Sequence, residues 1–95
     1  MYAVAFDLVV AEADARHPRG QSAAYAEIGR VLVGHGFRWT QGSVYLTDNE
    51  DMARLLSAMN ELRSLPWFPD SVRDIRAFRV EQWSDFTPFM KERAA

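Results

Sequence analysis

The order in which hydrophobic periodicities follow one another is the feature that most constrains the fold of this chain. Alternating stretches predict β-strands, and apolar side chains repeated at helical spacing predict helices. The predicted elements, in chain order, are strand 2–10, helix 22–33, strands 37–40 and 44–47, a second helix, and strand 72–83. With 95 residues the chain is long enough for one domain and too short for two.

This order is the split β-α-β pattern of the ferredoxin-like fold, an α+β β-α-β-β-α-β sandwich. Right-handed crossovers then predict a four-stranded antiparallel sheet in the spatial order 4-1-3-2, with both helices on one face. We expect a single ferredoxin-like domain over residues 1–95, in which residues 83–95 form a C-terminal tail helix that begins at Ser84.

The connecting segments have their own signals. Residues 11–20 are polar and contain Pro18 and Gly20, which predicts a loop. Asp48 or Asn49 is expected to cap the second helix. Residues 64–71 contain two prolines and are predicted to be irregular, with Trp67 and Phe68 filling the edge of the core.

Composition excludes several classes of protein. The chain has no cysteine, so disulfides and thiolate chemistry are excluded. It shows neither a basic leader nor an apolar run of about 18 residues, so we expect a cytoplasmic protein without membrane contact. The net charge of -2 disfavours a broad nucleic-acid groove but allows a local basic patch.

The predicted topology brings three polar side chains to one edge of the sheet. The first strand ends near Asp7, and the antiparallel third and fourth strands begin there, at Ser43 and near Asp74. Alternation places these residues on the face without helices, the open face. The other residues predicted on the open face are Ala3, Ala5, Tyr45, Thr47, Arg76, Phe78 and Val80. Because this surface is too apolar to remain in water, we expect a homodimer that packs sheet against sheet.

Three stretches identify a known family. MYAVAFDLVV, FRWTQGSVY and SVRDIRAFRVEQWSDFT together resemble the virulence-associated protein D (VapD) family over nearly the whole chain. The resemblance implies a ferredoxin-like homodimer, related to the small CRISPR-associated nucleases, that acts as an endoribonuclease. Some members are toxins of toxin–antitoxin pairs, so an antitoxin protein is an expected partner. It also implies that Asp7 is the key acid and that Ser43 and Asp74 belong to the site.

Two mechanisms are compatible with these residues. Asp7 and Asp74 would either hold a divalent cation such as Mg²⁺ or share a proton and act as an acid/base pair without metal. Arg73 and Arg76 are expected to bind RNA phosphates, and Tyr45 is expected to contact RNA as well. The sequence does not decide between the two mechanisms.

Structural interpretations of the same residues stay open. Asp7 and Asp74 would then be arginine partners, and Ser43 would only shape the hairpin turn. His17 and His35 have no metal-ligand spacing, and the tryptophans are more typical of packing than of base stacking. The alternative function is a non-catalytic dimeric module that binds RNA or protein, and DNA handling ranks last.

Overall fold

A computed structural model describes residues 1–93 and shows an α+β fold with one four-stranded antiparallel sheet. The elements are β1 Tyr2–Leu8, α1 Val10–Arg16, α2 Gly20–Gly34, β2 Arg38–Gln41, β3 Val44–Thr47, α3 Met52–Ser64, α4 Phe68–Ser71, β4 Val72–Arg79 and α5 Thr87–Lys91. The spatial order β2-β3-β1-β4 confirms the predicted ferredoxin-like topology. Ala94 and Ala95, the last residues of the predicted domain 1–95 and tail helix 83–95, lie outside the described residues.

The core lies between the sheet and helices α2 and α3. Val4 and Phe6 of β1 are buried against Ile28 and Leu32 of α2, and Leu55 and Leu62 of α3 complete this layer. Alternation along β1 therefore sends every second side chain into the core and leaves Asp7 exposed on the open face.

The prediction of a loop over residues 11–20 is wrong. Val10–Arg16 forms a helix, in which Ala13 is buried and Arg16 Nε donates to Glu12 Oε2 across one turn at 2.7 Å. Alanine and glutamate are strong helix formers, and an i,i+4 pair adds a little more stability. Pro18 therefore ends the helix instead of marking a ten-residue loop.

The start of the second predicted helix is also corrected. Neither Asp48 nor Asn49 is the N-cap, because α3 begins at Met52 and the Asp51 carboxylate accepts from the backbone N–H of Ala53 at 3.0 Å. Asn49 instead accepts from the N–H of Asp51 at 2.8 Å. The segment 48–51 is thus a run of side-chain-to-backbone turns that leads into the helix.

The C-terminal part of the chain differs from prediction in length. Strand β4 ends at Arg79 rather than residue 83, and the predicted irregular segment 64–71 contains the short helix α4. Trp67 and Phe68 fill the core edge as predicted, since both are about 5% exposed. Helix α5 begins without Ser84 as cap, because the Asp85 carboxylate accepts from the Thr87 N–H at 2.8 Å.

Candidate active site

The two predicted acids meet where β1 ends and β4 begins. The register of the antiparallel pair places Asp7 directly opposite Asp74. Side chains that are directly opposite point to the same face, with Cβ atoms about 5 Å apart. Both side chains are exposed on the open face, so the predicted juxtaposition is confirmed.

Each acid is paired with one arginine. Arg73 Nε lies 3.4 Å from Asp7 Oδ2, and Arg76 Nε lies 3.2 and 3.1 Å from the two oxygens of Asp74. The site therefore brings two adjacent carboxylates, each with its own guanidinium group, into a small area at the edge of the sheet. This arrangement offers proton acceptors next to donors of the type that bind phosphate.

A β-bulge brings Arg73 into the site. The ladder pairs Asp7 with Asp74 and Leu8 with Val72, which leaves Arg73 as the extra residue of β4. Simple alternation places Arg73 on the face opposite Asp74, so the contact with Asp7 was not predicted. A bulge of this kind redirects a side chain, and bulges are frequent next to active sites.

Ser43 lies near the acids through its backbone rather than in the predicted orientation. Its carbonyl accepts from the Phe6 N–H at 3.1 Å, beside Asp7 in β1. Continuing the register of β1 and β3 sets Ser43 opposite Phe6, whose side chain enters the core. The prediction that Ser43 faces the open side is therefore wrong, because strand pairing gives it the parity of Phe6.

Tyr45 also lies on the other face from that predicted. It is opposite Val4, is 8% exposed and stacks on Phe6 with ring centroids 6.3 Å apart. Burial raises the pKa of its phenol above the ordinary value. Thr47 is likewise opposite Tyr2 on the helix-covered face, while Leu46 is opposite Ala3 on the open face. The ring of Tyr45 therefore packs in the core and is not a surface for RNA.

Four of the remaining predicted residues follow the expected face, whereas Val80 lies just beyond the end of β4 and is not placed by the register. Ala3 is opposite Phe78, and Ala5 is opposite Arg76, on the open face. The histidines do not contact the acid pair in these hydrogen bonds, because His17 is hydrogen-bonded to Glu27 and His35 is hydrogen-bonded to Glu61. Within residues 1–93, no three His, Cys, Asp or Glu side chains form a metal-binding group.

The acid pair and its arginine partners contribute little to the stability of the fold. The side chains of Asp7 and Arg73 are each 63% exposed, and exposed ion pairs contribute about 0–1 kcal/mol. Two like charges directly opposite each other in a sheet are destabilising. A local arrangement that opposes folding is typical of a functional site, which favours a chemical role for Asp7 and Asp74 over a structural one.

Among residues 1–93, no helix is both long enough and apolar enough to cross a membrane.

Comparison with known proteins shows the family directly. The model of the family described as CRISPR associated protein Cas2 matches residues 1–87. The endoribonuclease VapD homolog of Neisseria gonorrhoeae is 64% identical over 91 residues, which cover 96% of this chain and 99% of that protein. Endoribonuclease VapD of Haemophilus influenzae is 58% identical, with the same coverage of both chains.

A more distant relative shows the same extent of similarity. Endoribonuclease VapD of Helicobacter pylori is 43% identical over 93 residues, which cover 96% of this chain and 99% of that protein. The similarity therefore spans both strands that bear the acids and the hairpin between them. The chain belongs to the VapD family, within the larger group that the CRISPR associated protein Cas2 model describes.

Proposed function

We propose that this protein is an endoribonuclease, a hydrolase of RNA phosphodiester bonds, in which Asp7 is the key acid. The observation on which the proposal depends is the cross-strand pair of Asp7 and Asp74 beside two guanidinium groups. Relatives that carry the name endoribonuclease VapD are similar to this chain over nearly its full length. Those names and this geometry support the same chemistry.

The ion pairs suggest how the site responds to RNA. A phosphate is a better bidentate partner for arginine than a single exposed carboxylate, so Arg73 and Arg76 turn toward the phosphate when RNA arrives. Asp7 and Asp74 then lose their partners. Asp7 is free to accept the proton of the attacking hydroxyl, while the guanidinium groups stabilise charge on the phosphate oxygens.

The same two carboxylates fit a Mg²⁺ ion by donor type. Mg²⁺ is usually bound through one or two carboxylates, with water and substrate phosphate oxygens as its other ligands. Asp7 and Asp74 would hold it, and the bound ion supplies positive charge at the phosphate. Cleavage assays with EDTA and with added Mg²⁺ separate this arrangement from metal-free acid/base chemistry.

Cleavage of RNA by purified protein tests the function. We expect the wild type to cut RNA and Asp7→Asn to lose this activity, because asparagine keeps the shape of the side chain but cannot accept the proton. Asp48→Asn is the matched control, since Asp48 is also exposed and also paired with an arginine, Arg38, at 3.1 Å. It lies beyond the far end of β3.

The outcomes of this assay discriminate between functions. Equal cleavage by wild type and Asp7→Asn would indicate a contaminating nuclease and would remove the proposal. RNA binding without products would support the alternative, a non-catalytic dimeric RNA- or protein-binding module, which the net charge of -2 favours.

We also propose that the enzyme acts in the cytoplasm as the toxin of a toxin–antitoxin pair, with an antitoxin protein as its partner. This proposal depends on the resemblance to VapD proteins. If it is correct, induced expression of the wild type arrests bacterial growth and expression of Asp7→Asn does not.

The unpartnered apolar surface supports a homodimer. Phe78 on the open face is 47% exposed, and Phe86, Phe89 and Met90 of the tail are more than 60% exposed. The radius of gyration is 15.1 Å, against about 12 Å for a compact chain of this length, and residues 81–93 of the tail are all exposed. A second copy packed on the open face would cover Phe78 and give the tail helix a surface to contact.

A charge placed on the open face should dissociate this dimer. We expect light scattering to give the wild type a mass of twice the chain mass of 10.9 kDa. The Phe78→Glu variant should have the mass of a monomer and an unchanged circular dichroism spectrum. Leu56→Glu is the control, because Leu56 is similarly exposed, at 59%, but belongs to helix α3. A dimeric Phe78→Glu, or a monomeric wild type, would contradict the sheet-to-sheet arrangement.

A further inference from the structure

A cleft lies away from the acid pair, where the end of α1, helix α2 and the segment before α4 come together. Its volume is about 620 Å³, which is within the range of small-ligand sites. The rings of Pro18, Pro66 and Trp67 contribute its apolar wall, and Arg16, His17, Arg19 and Glu27 contribute its polar groups. Nothing in the chemistry of the acid pair uses these residues.

A network of hydrogen bonds holds one oxygen of Glu27 in this cleft. The backbone N–H of Arg19 donates to His17 Nδ1 at 3.0 Å, so the neutral imidazole carries its hydrogen on Nε2. His17 Nε2 then donates to Glu27 Oε1 at 3.2 Å, and Trp67 Nε1 donates to the same oxygen at 2.5 Å. Because His17 and Trp67 are both buried, the carboxylate has a defined position.

Two groups of the cleft still have unused hydrogen-bonding capacity. No group among residues 1–93 donates to Glu27 Oε2, and the Glu27 side chain is 30% exposed. The Arg19 side chain forms no ion pair within the described part of the chain, whereas Arg16 is paired with Glu12 and Asp70. The cleft therefore offers one carboxylate acceptor, one guanidinium donor and an apolar wall.

We propose that this cleft binds a nucleobase of the RNA substrate, an inference that rests on the proposed function. The base lies against the proline rings, gives an N–H to Glu27 Oε2 and accepts from Arg19. Guanine and uracil present a ring N–H beside a carbonyl oxygen on one edge, whereas adenine and cytosine do not. The expected ligand is therefore guanine or uracil.

The position of the cleft is compatible with a base near the cut. Helix α1 begins three residues after Asp7 and has seven residues, so the Cα atom of His17 lies within about 25 Å of that of the acid. A few nucleotides of single-stranded RNA span this distance. Sequence-specific RNA recognition commonly uses such unstacked bases.

Binding is tested with full-length Asp7→Asn, so that no RNA is cut, by following the Trp67 indole N–H signal in NMR. We expect GMP, UMP and a uridine oligonucleotide to shift this signal saturably, with AMP, CMP and an adenosine oligonucleotide about tenfold weaker. Adding Arg19→Ala should weaken binding of the uridine oligonucleotide about tenfold. Arg30→Ala is the matched control, because Arg30 is also exposed and forms no ion pair within residues 1–93.

The outcomes distinguish binding of a free nucleotide from binding of a base in RNA. They also distinguish this binding proposal from the nuclease proposal. A shift with free nucleotides but not with the oligonucleotide would overturn the assignment to RNA. No shift at about 10 mM ligand, or equal binding with and without Arg19→Ala, would overturn the site itself. The binding assay uses the Asp7→Asn variant and does not measure cleavage. If the wild type failed to cleave RNA, the nuclease proposal would be overturned, but this binding result would be unchanged.

Discussion

Replacing either Asp7 or Asp74 by asparagine should lower kcat/KM for RNA cleavage by about 10²–10⁴-fold, and replacing both should lower it little further. The acids face each other across β1 and β4, so each single substitution breaks the same pair. Groups that act as a unit give non-additive losses. The measurement is initial cleavage rate on a fluorogenic RNA, with the unfolding temperature of each variant as a control for folding.

The pattern of losses has a definite interpretation. If the two single losses multiply in the double variant, the acids act independently and the pair is not a unit. An active Asp74→Asn variant would show that Asp74 serves only as the partner of Arg76. Asp48→Asn provides the baseline for removing a paired surface carboxylate outside the site, just beyond the end of β3.

The position of the acid pair could be predicted because it depends on few choices. The period of the hydrophobic residues predicts which segments are strands and which are helices. The right-handedness of crossovers then allows only one order of the strands in the sheet. Asp7 interrupts an apolar strand, so alternation alone assigned it to the open face. Asp74 is followed by Ile75, which pairs with Phe6 in the core, and that contact determines the register.

The face of Tyr45 could not be predicted in this way. Val44, Tyr45 and Leu46 are all apolar, so neither parity is excluded by burial of a polar group. Tyr45 turns to the helix-covered face, where Gly29 of α2 leaves room for its hydroxyl, and Leu46 takes the open face. A contact between residues 16 positions apart in sequence decided the orientation.

The contact of Arg73 was missed for a different reason. A bulge inserts one residue into a ladder without a glycine or proline to mark it. Similarly, no local pattern indicated that His17 and Trp67 would share Glu27, since the three residues come from separate segments of the chain. Local patterns predict elements and faces, whereas such convergences depend on how the elements dock.

Alanine at Gly29 should destabilise the fold, and Tyr45→Phe should reverse the effect. A Cβ on Gly29 would lie 2.7 Å from the Tyr45 hydroxyl but 3.7 Å from Cζ, so only the hydroxyl is too close. Overpacking of this kind costs about 1–3 kcal/mol, against a gain of about 1 kcal/mol from replacing glycine inside a helix. The net expected loss in the free energy of unfolding is about 0–2 kcal/mol, with a midpoint of about 1 kcal/mol.

The double variant tests whether the Tyr45 hydroxyl is the group that opposes a side chain at Gly29. With the hydroxyl gone, the alanine Cβ makes an ordinary contact with the ring, so only the gain in helix propensity remains. The free energy of unfolding of the Gly29→Ala/Tyr45→Phe double variant, measured in urea, should therefore exceed that of Tyr45→Phe alone by about 0.5–1 kcal/mol. Gly34→Ala is the control for the single change, because no atom lies within 4 Å of its Cβ position. If Gly29→Ala is equally destabilising with tyrosine and with phenylalanine at position 45, the hydroxyl is not the obstacle, and the packing that sets the face of β3 is misassigned.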